Sequence, residues 1–140
     1  MSETVVREVE AFYRAYIDAF NREDTDFFLR AFAYPNAFLT GEQGLVVQAK
    51  ESDQQRFYQS IMASIQARGW DRSAVDRLQI WPFSDGLAMI VADYTRYKKD
   101  GSILEQGRAC YTVRRDGNTW KFLTITEIKP PFTGPGGESR

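Results

Sequence analysis

The apolar positions Val5, Val9, Phe12, Tyr16 and Phe20 recur at three- and four-residue intervals. Val6, Tyr13 and Ile17 widen the stripe, while Glu8, Glu10, Arg14 and Asp18 fall elsewhere. That period predicts an amphipathic helix over 5–20 with a bulky, aromatic inner face. Asn21-Arg22-Glu23-Asp24 breaks the pattern, and Asp24 reads as the N-cap of a short second helix carrying Phe27, Phe28, Ala31 and Phe32, ended by Tyr34-Pro35-Asn36. A short strand is expected over 37–40, then a loop or irregular strand over 41–50 containing Val46 and Val47. Ser52 and Gln55 have capping-box spacing ahead of Phe57, Ile61 and Ile65, which predicts a third helix stopped by Gly69.

After Gly69 the period falls to two. Four β segments are predicted over 75–83, 87–98, 103–115 and 119–129, separated by Ser84-Asp85-Gly86, Asp100-Gly101 and Asp116-Gly117. The Asp-Gly pairs are two-residue hairpin signals. Tight turns there place Arg96 opposite Glu105, Asp93 opposite Arg108, Tyr111 opposite Phe122 and Ala109 opposite Thr124. Alternation then divides the sheet into two faces. Ile90, Ala92, Tyr94, Ala109, Tyr111, Val113, Trp120 and Phe122 share the face that must meet the helices. Met89, Val91, Asp93, Arg108, Cys110, Leu123, Ile125 and Glu127 share the other, which is too apolar in its middle for a freely solvated sheet and reads as a homodimer face. Residues 1–129 are expected to form one domain. The tail over 130–140, rich in Pro and Gly, is expected to stay outside the sheet and to be mobile.

Composition narrows the chemistry. There is one Cys and no His among 140 residues, so Ser-His-Asp, Cys-His and His-metal mechanisms are out and no zinc ligand set or internal disulfide can form. No cofactor and no metal are expected. The 18 basic and 19 acidic side chains leave a net charge of −1 without a basic run, which argues against nucleic acid as a partner. No apolar run approaches the roughly 18 residues of a membrane span. The start, MSETVVREVE, does not read as a signal peptide, so a soluble cytoplasmic protein is the expectation.

Three helices followed by a curved, meandering antiparallel sheet now have a recognisable order. The segments are Phe12 to Phe20, then Asn21-Arg22-Glu23-Asp24, then Phe27 to Tyr34, and finally Asp116-Gly117-Asn118-Thr119-Trp120-Lys121-Phe122. This order resembles the NTF2-like superfamily, including the SnoaL-like and ketosteroid isomerase-like proteins. The resemblance implies an α+β cone: three N-terminal helices packed on a curved, mostly antiparallel sheet around a deep apolar pocket, with dimers formed through the outer sheet face. It sets Tyr16, in the context Tyr16-Ile17-Asp18, at the isomerases' oxyanion tyrosine, Tyr111 near their second oxyanion donor and Thr40 at their general base. A Thr hydroxyl is no base for a carbon acid near neutral pH, so the resemblance does not carry steroid-isomerase chemistry over.

The expected pocket comprises Phe12, Tyr16, Phe20, Phe32, Phe38, Thr40, Tyr94, Tyr111, Phe122 and Thr124, with the hydroxyls as its polar points. An aromatic core is the plain alternative for the Phe residues. Buried Tyr hydroxyls nevertheless need partners, and this interior offers few besides Thr40, Thr124, water or a ligand. Candidate catalytic residues are Tyr16, Tyr111, Asp93 and Glu42; the register turns Asp93 away from the pocket, and the loop around Glu42 holds it in solvent. Arg96 and Glu105 lie on the pocket side near a hairpin tip, either as a surface pair or guarding the pocket mouth. Cys110 reads as a small packing residue, and Trp81-Pro82-Phe83 as a pocket rim or interface cover. Three functions remain: a pocket for a small hydrophobic or aromatic molecule; an isomerase, dehydratase or cyclase-type enzyme with a Tyr oxyanion hole and a pocket carboxylate; or a dimeric protein-interaction module with a filled cone.

Overall fold

The computed structural model describes residues 2–132 and 135–137. Helices α1 (Ser2–Asn21) and α2 (Thr25–Arg30) are followed by strands β1 (Phe32–Thr40) and β2 (Gly44–Gln48). Helix α3 (Glu51–Ala67) comes next, and then the meander β3 (Trp70–Ser84), β4 (Leu87–Lys98), β5 (Ile103–Asp116) and β6 (Thr119–Ile128). The six strands form one sheet in the order β2-β1-β6-β5-β4-β3. Every pairing is antiparallel except that of β1 with β6. Register shifts in four of the five pairings bend the sheet, since each adds local twist.

The class is therefore α+β with a curved, mostly antiparallel sheet, but the three helices are not one N-terminal block. The hairpin β1–β2 separates α2 from α3, and Phe32, assigned to α2 on sequence, opens β1. Ala31 is the helix C-cap, and its carbonyl accepts from the Phe122 amide at 2.8 Å. Pairing with β6 thus claims the backbone that the helix would have used. Asp24 caps α2 as expected, accepting from the Phe27 amide at 3.1 Å. In α3 the cap lies two residues before the expected Ser52: Lys50 is the N-cap, and the Asp53 carboxylate accepts from the Ala49 and Lys50 amides at 3.1 and 3.3 Å.

The β4–β5 hairpin has the expected register, with Asp93 opposite Arg108 and Arg96 opposite Glu105. Its turn is longer than two residues, because Lys98 N pairs with Ser102 O at 2.8 Å, and the irregularity between Arg96 and Tyr97 absorbs the difference. The β5–β6 hairpin departs from expectation. Its turn is Gly117-Asn118, flanked by the pair Asp116–Thr119, and a bulge around Leu123 shifts the strand once more. Phe122 consequently faces Val113, Ile125 faces Tyr111 and Glu127 faces Ala109. Ile125 and Glu127 belong to the inner face, not the outer one, because a single extra residue reverses the alternation beyond it.

Helix α1 is held to the sheet at both ends. Near its start, Glu8 accepts from Trp120 Nε1 at 3.1 Å and lies 2.8 Å from Arg115 Nη1. At its end, the Asn21 amide makes a two-way bridge to the Ser73 backbone at 2.9 and 2.8 Å. Between these points Phe122 is wholly buried, its ring centroid 4.7 Å from Tyr16, 4.9 Å from Phe12 and 5.0 Å from Phe32. Tilted and edge-on packing of this kind adds to the area buried.

The chain after β6 stays out of the sheet, as its composition suggests, but its described residues are docked rather than loose. Phe132 and Gly136 are buried against the outer face. Arg77 Nη1 donates to Gly136 O at 2.7 Å, Arg108 Nη1 to Pro135 O at 3.2 Å and to Gly137 O, and the Arg108 guanidinium lies 4.7 Å from the Phe132 ring centre. A Cβ on Gly136 would come within 2.8 Å of Val91 Cγ1 and 3.0 Å of Arg108 Cζ. Composition missed this docking because its acceptors are backbone carbonyls, which every residue carries. The remainder of the 130–140 segment lies outside the described residues.

Two substitutions test these features. Gly69 closes α3 at φ +96°, where a Cβ would meet only the flexible Lys98 side chain at 3.7 Å; Gly69→Ala should therefore lower stability by roughly 1–2 kcal/mol, the cost of left-handed backbone, measured by urea unfolding. Gly136→Ala, which also places a side chain in left-handed backbone at φ +93°, should free the tail. Faster amide exchange at Phe132, Gly136 and Gly137 is expected, with the protection of β4 and β5 amides kept.

Candidate functional site

A cavity of about 390 Å³ opens between the inner sheet face, α1 and α3. Its sheet wall is Tyr94, Arg96, Ala109, Tyr111, Ile125 and Glu127. Helix α1 contributes Tyr13, Tyr16, Ile17 and Phe20. Phe57, Ile61 and Ile65, the predicted apolar stripe of α3, form the opposing wall with Arg68 beyond them. The helical period thus brings two amphipathic faces to one space, and strand alternation supplies the third wall.

Of the predicted pocket residues, Tyr16, Phe20, Phe38, Tyr94 and Tyr111 lie on the cavity wall. Phe12, Phe32 and Phe122 do not; their rings fill the core beside it. Thr40 caps the β1–β2 turn, its Oγ1 accepting from the Gln43 amide at 2.9 Å. Thr124 pairs with Thr112, which alternates away from Tyr111, so the bulge at Leu123 turns it outward. The position that the resemblance gave to a general base therefore performs a turn-capping task.

The tyrosines are not all left for a ligand. The Tyr13 and Tyr111 hydroxyls lie 3.2 Å apart and satisfy one another, one as donor and one as acceptor. The sequence pattern shows Tyr13 only as widening the α1 stripe, because nothing local reveals a partner 98 residues away. Burial pushes the hydroxyls of Tyr13, Tyr16, Tyr94 and Tyr111 above the ordinary phenol range, so each stays protonated and can donate at neutral pH. The Tyr94 ring lies across Gly107, where a Cβ would sit 2.4 Å from its hydroxyl oxygen. Glycine at 107 makes room for that ring.

One end of the cavity is charged. Arg96 Nη1 donates to Glu105 at 2.5 Å, and Arg68 donates to the same carboxylate at 2.8 and 3.2 Å. The Arg68 hydrogen bonds lead in holding the Glu105 carboxyl below its usual range, against the opposing effect of burial. The guanidinium of Arg96 lies 4.9 Å from the centre of the Tyr94 ring. Arg96 and Arg68 are thus on the cavity wall, and Glu105 is the carboxylate that joins them.

The remaining candidates are elsewhere. Arg108 is wholly buried on the outer face, where Nε and Nη2 hold the Asp93 carboxylate at 2.5 and 3.0 Å. Glu42 is exposed and paired with Lys129, which lowers its carboxyl pKa. The Cys110 thiol is pushed up by burial, the wrong direction for a nucleophile. Glu127 is the cavity carboxylate that sequence reasoning turned outward. Only the bulge reveals it. Among the described residues no cluster of His, Cys, Asp and Glu could hold a metal ion, and no helix is long and apolar enough to cross a membrane.

Solved structures share this architecture. Aln2 from a Streptomyces species superposes with a TM-score of 0.72 at 15% identity, covering 92% of this chain and 93% of that one. An NTF2-like superfamily protein from Salmonella enterica serovar Typhimurium gives 0.67 at 18% identity, covering 98% and 99%. A ketosteroid isomerase-like protein from Erwinia carotovora atroseptica gives 0.64 at 16% identity, covering 89% and 96%. At these identities the likeness shows the fold alone. No curated protein matches the sequence. The profile of the family described as NTF2-like protein (DUF6841) matches residues 7–130, and the chain, cone and cavity together, belongs to that NTF2-like family.

Proposed function

We propose that the cone binds a small, largely apolar or aromatic molecule. The observation that carries this reading is the cavity itself: about 390 Å³, walled by aromatic and aliphatic side chains with a few hydroxyls and charges at defined points. That is the volume and lining of a small-molecule site. It weighs against a filled cone, and hence against the pure interaction module. The expected homodimer through the outer face is retained in altered form. Ile125 is no longer available to it, and Val91 and Arg108 lie under the tail. Trp81, opposite Met89 at the outer edge, is 45% exposed and Phe83 59%, so a second copy would meet these two residues.

The test is titration with 2-naphthol, followed by intrinsic fluorescence, together with native mass spectrometry before and after denaturation. Saturable 1:1 binding is expected, weakened at least about tenfold in Ile61→Trp, which fills the cavity from α3. Absence of saturable binding in the wild type, with no compound released on denaturation, overturns the reading. The same spectra report whether the chain is a dimer.

A second reading, an isomerase, dehydratase or cyclase-type enzyme, is favoured by one observation: Glu127 stands on the same wall as the tyrosines. Its carboxylate would take a proton from a carbon acid while a Tyr16 or Tyr94 hydroxyl donates to the developing enolate oxygen. This reading predicts that the protein accelerates deuterium exchange into the α positions of 2-tetralone, and that Glu127→Gln abolishes the acceleration. Exchange no faster than in buffer excludes it for ketones of this size.

A further inference from the structure

The two buried arginines of the sheet are finished differently. Arg108 spends Nε and Nη2 on Asp93 and Nη1 on the tail carbonyls, so every nitrogen of its guanidinium is engaged. Arg96 has a side chain only 18% exposed and spends Nη1 on Glu105, while its Nε is buried without a hydrogen-bond partner among the described residues. A guanidinium keeps all five N–H donors at any working pH, and an unmet buried donor on a cation is costly.

The unmet edge has a definite shape. With Nη1 taken, Nε and Nη2 lie side by side as the fork that matches the two oxygens of a carboxylate, and because Nε has no surface open to solvent a carboxylate engages both only when the side chain shifts. The local charge has the right sign, because Arg68 and Arg96 share the single carboxylate of Glu105 and leave one positive charge over. Glu127 is the other acid on the wall. It sits opposite Ala109, a backbone offset of four residues along β5 from Glu105, roughly 13 Å, although its charge still reaches Tyr94, on which Arg96 stacks. The guanidinium is also kept at the cavity wall: Arg96 stacks on Tyr94, and Tyr94 rests on Gly107.

We propose that Arg96 anchors a carboxylate, and that the molecule bound in the cone is an aromatic or apolar acid with its ring system against Tyr16, Phe20 and Ile61. This rests on the pocket reading and adds the chemical class of its ligand. A carboxylate would accept from Nε and Nη2, with Arg68 strengthening the field from α3, while the apolar body would displace water from the aromatic wall. The neutral hydroxyls of Tyr16 and Tyr94, outside the Tyr13–Tyr111 pair, remain for other oxygens of the same ligand.

The experiment compares 2-naphthoate with 2-naphthol and 2-naphthylmethylamine by calorimetric titration at pH 7. 2-Naphthoate should bind at least about tenfold more tightly than 2-naphthol, the usual gain from hydrogen bonds to a charged group, and the amine should bind most weakly. In Arg96→Gln the preference for 2-naphthoate over 2-naphthol should vanish. Arg96→Lys, which keeps the charge and loses the fork, should recover only part of it. Equal or tighter binding of 2-naphthol by the wild type overturns the proposal while leaving the pocket reading intact, as does a preference that survives in Arg96→Gln. If none of the three compounds binds, both readings fall. If neither variant folds, equal or tighter binding of 2-naphthol by the wild type still overturns the proposal.

Discussion

The double attachment of α1 to the sheet is the constraint on which the molecule turns. Glu8 ties the helix start to Trp120 and Arg115, and Asn21 ties its end to the Ser73 backbone. Between them the aromatic side chains of the helix meet Phe122 on one side and Phe28, Tyr58 and Trp70 on the other. A helix pinned at both ends over a bent sheet cannot settle onto it along its whole length. The sheet curvature produced by the bulges therefore leaves space, and α3 closes that space from the far side without filling it.

The two faces of the sheet use similar charges for opposite ends. On the outer face the Asp93–Arg108 pair is sealed by Phe132 and the tail carbonyls, and burial on that scale is tolerated because every nitrogen of the guanidinium has an acceptor. On the inner face one carboxylate serves two guanidiniums and the buried Nε of Arg96 is left without a partner among the described residues. A pair that closes on itself pins structure; a cluster with a spare donor beside a cavity is equipped to receive something. Residue types alone do not separate the two cases, since both are Asp or Glu opposite Arg on neighbouring strands. What separates them is the count of satisfied atoms.

Much of the architecture was legible because it rests on local rules. Helical and strand periods located α1, α3 and the meander, Asp24 announced its cap, and Asp93 stands opposite Arg108 because the irregularity between Arg96 and Tyr97 offsets the longer turn. The tyrosines at 16, 94 and 111 converged on the cavity for the same reason. Errors arose where one residue of backbone changed the outcome. The bulge at Leu123 moved Ile125 and Glu127 inward and Thr124 outward, and pairing with β6 drew Phe32 from helix into strand.

The sequence by itself determined the elements, most of their partners and the aromatic character of the interior, because hydrophobic period, caps and turn residues act over a few positions. Tertiary structure alone decided which side chains stayed free. The Tyr13–Tyr111 pair, the sharing of Glu105 by Arg68 and Arg96, and the seat of Gly136 on Arg108 join residues of separate elements, up to 98 positions apart. Whether a polar atom is satisfied depends on every neighbour at once, and those neighbours are assembled only when helix, sheet and tail have packed.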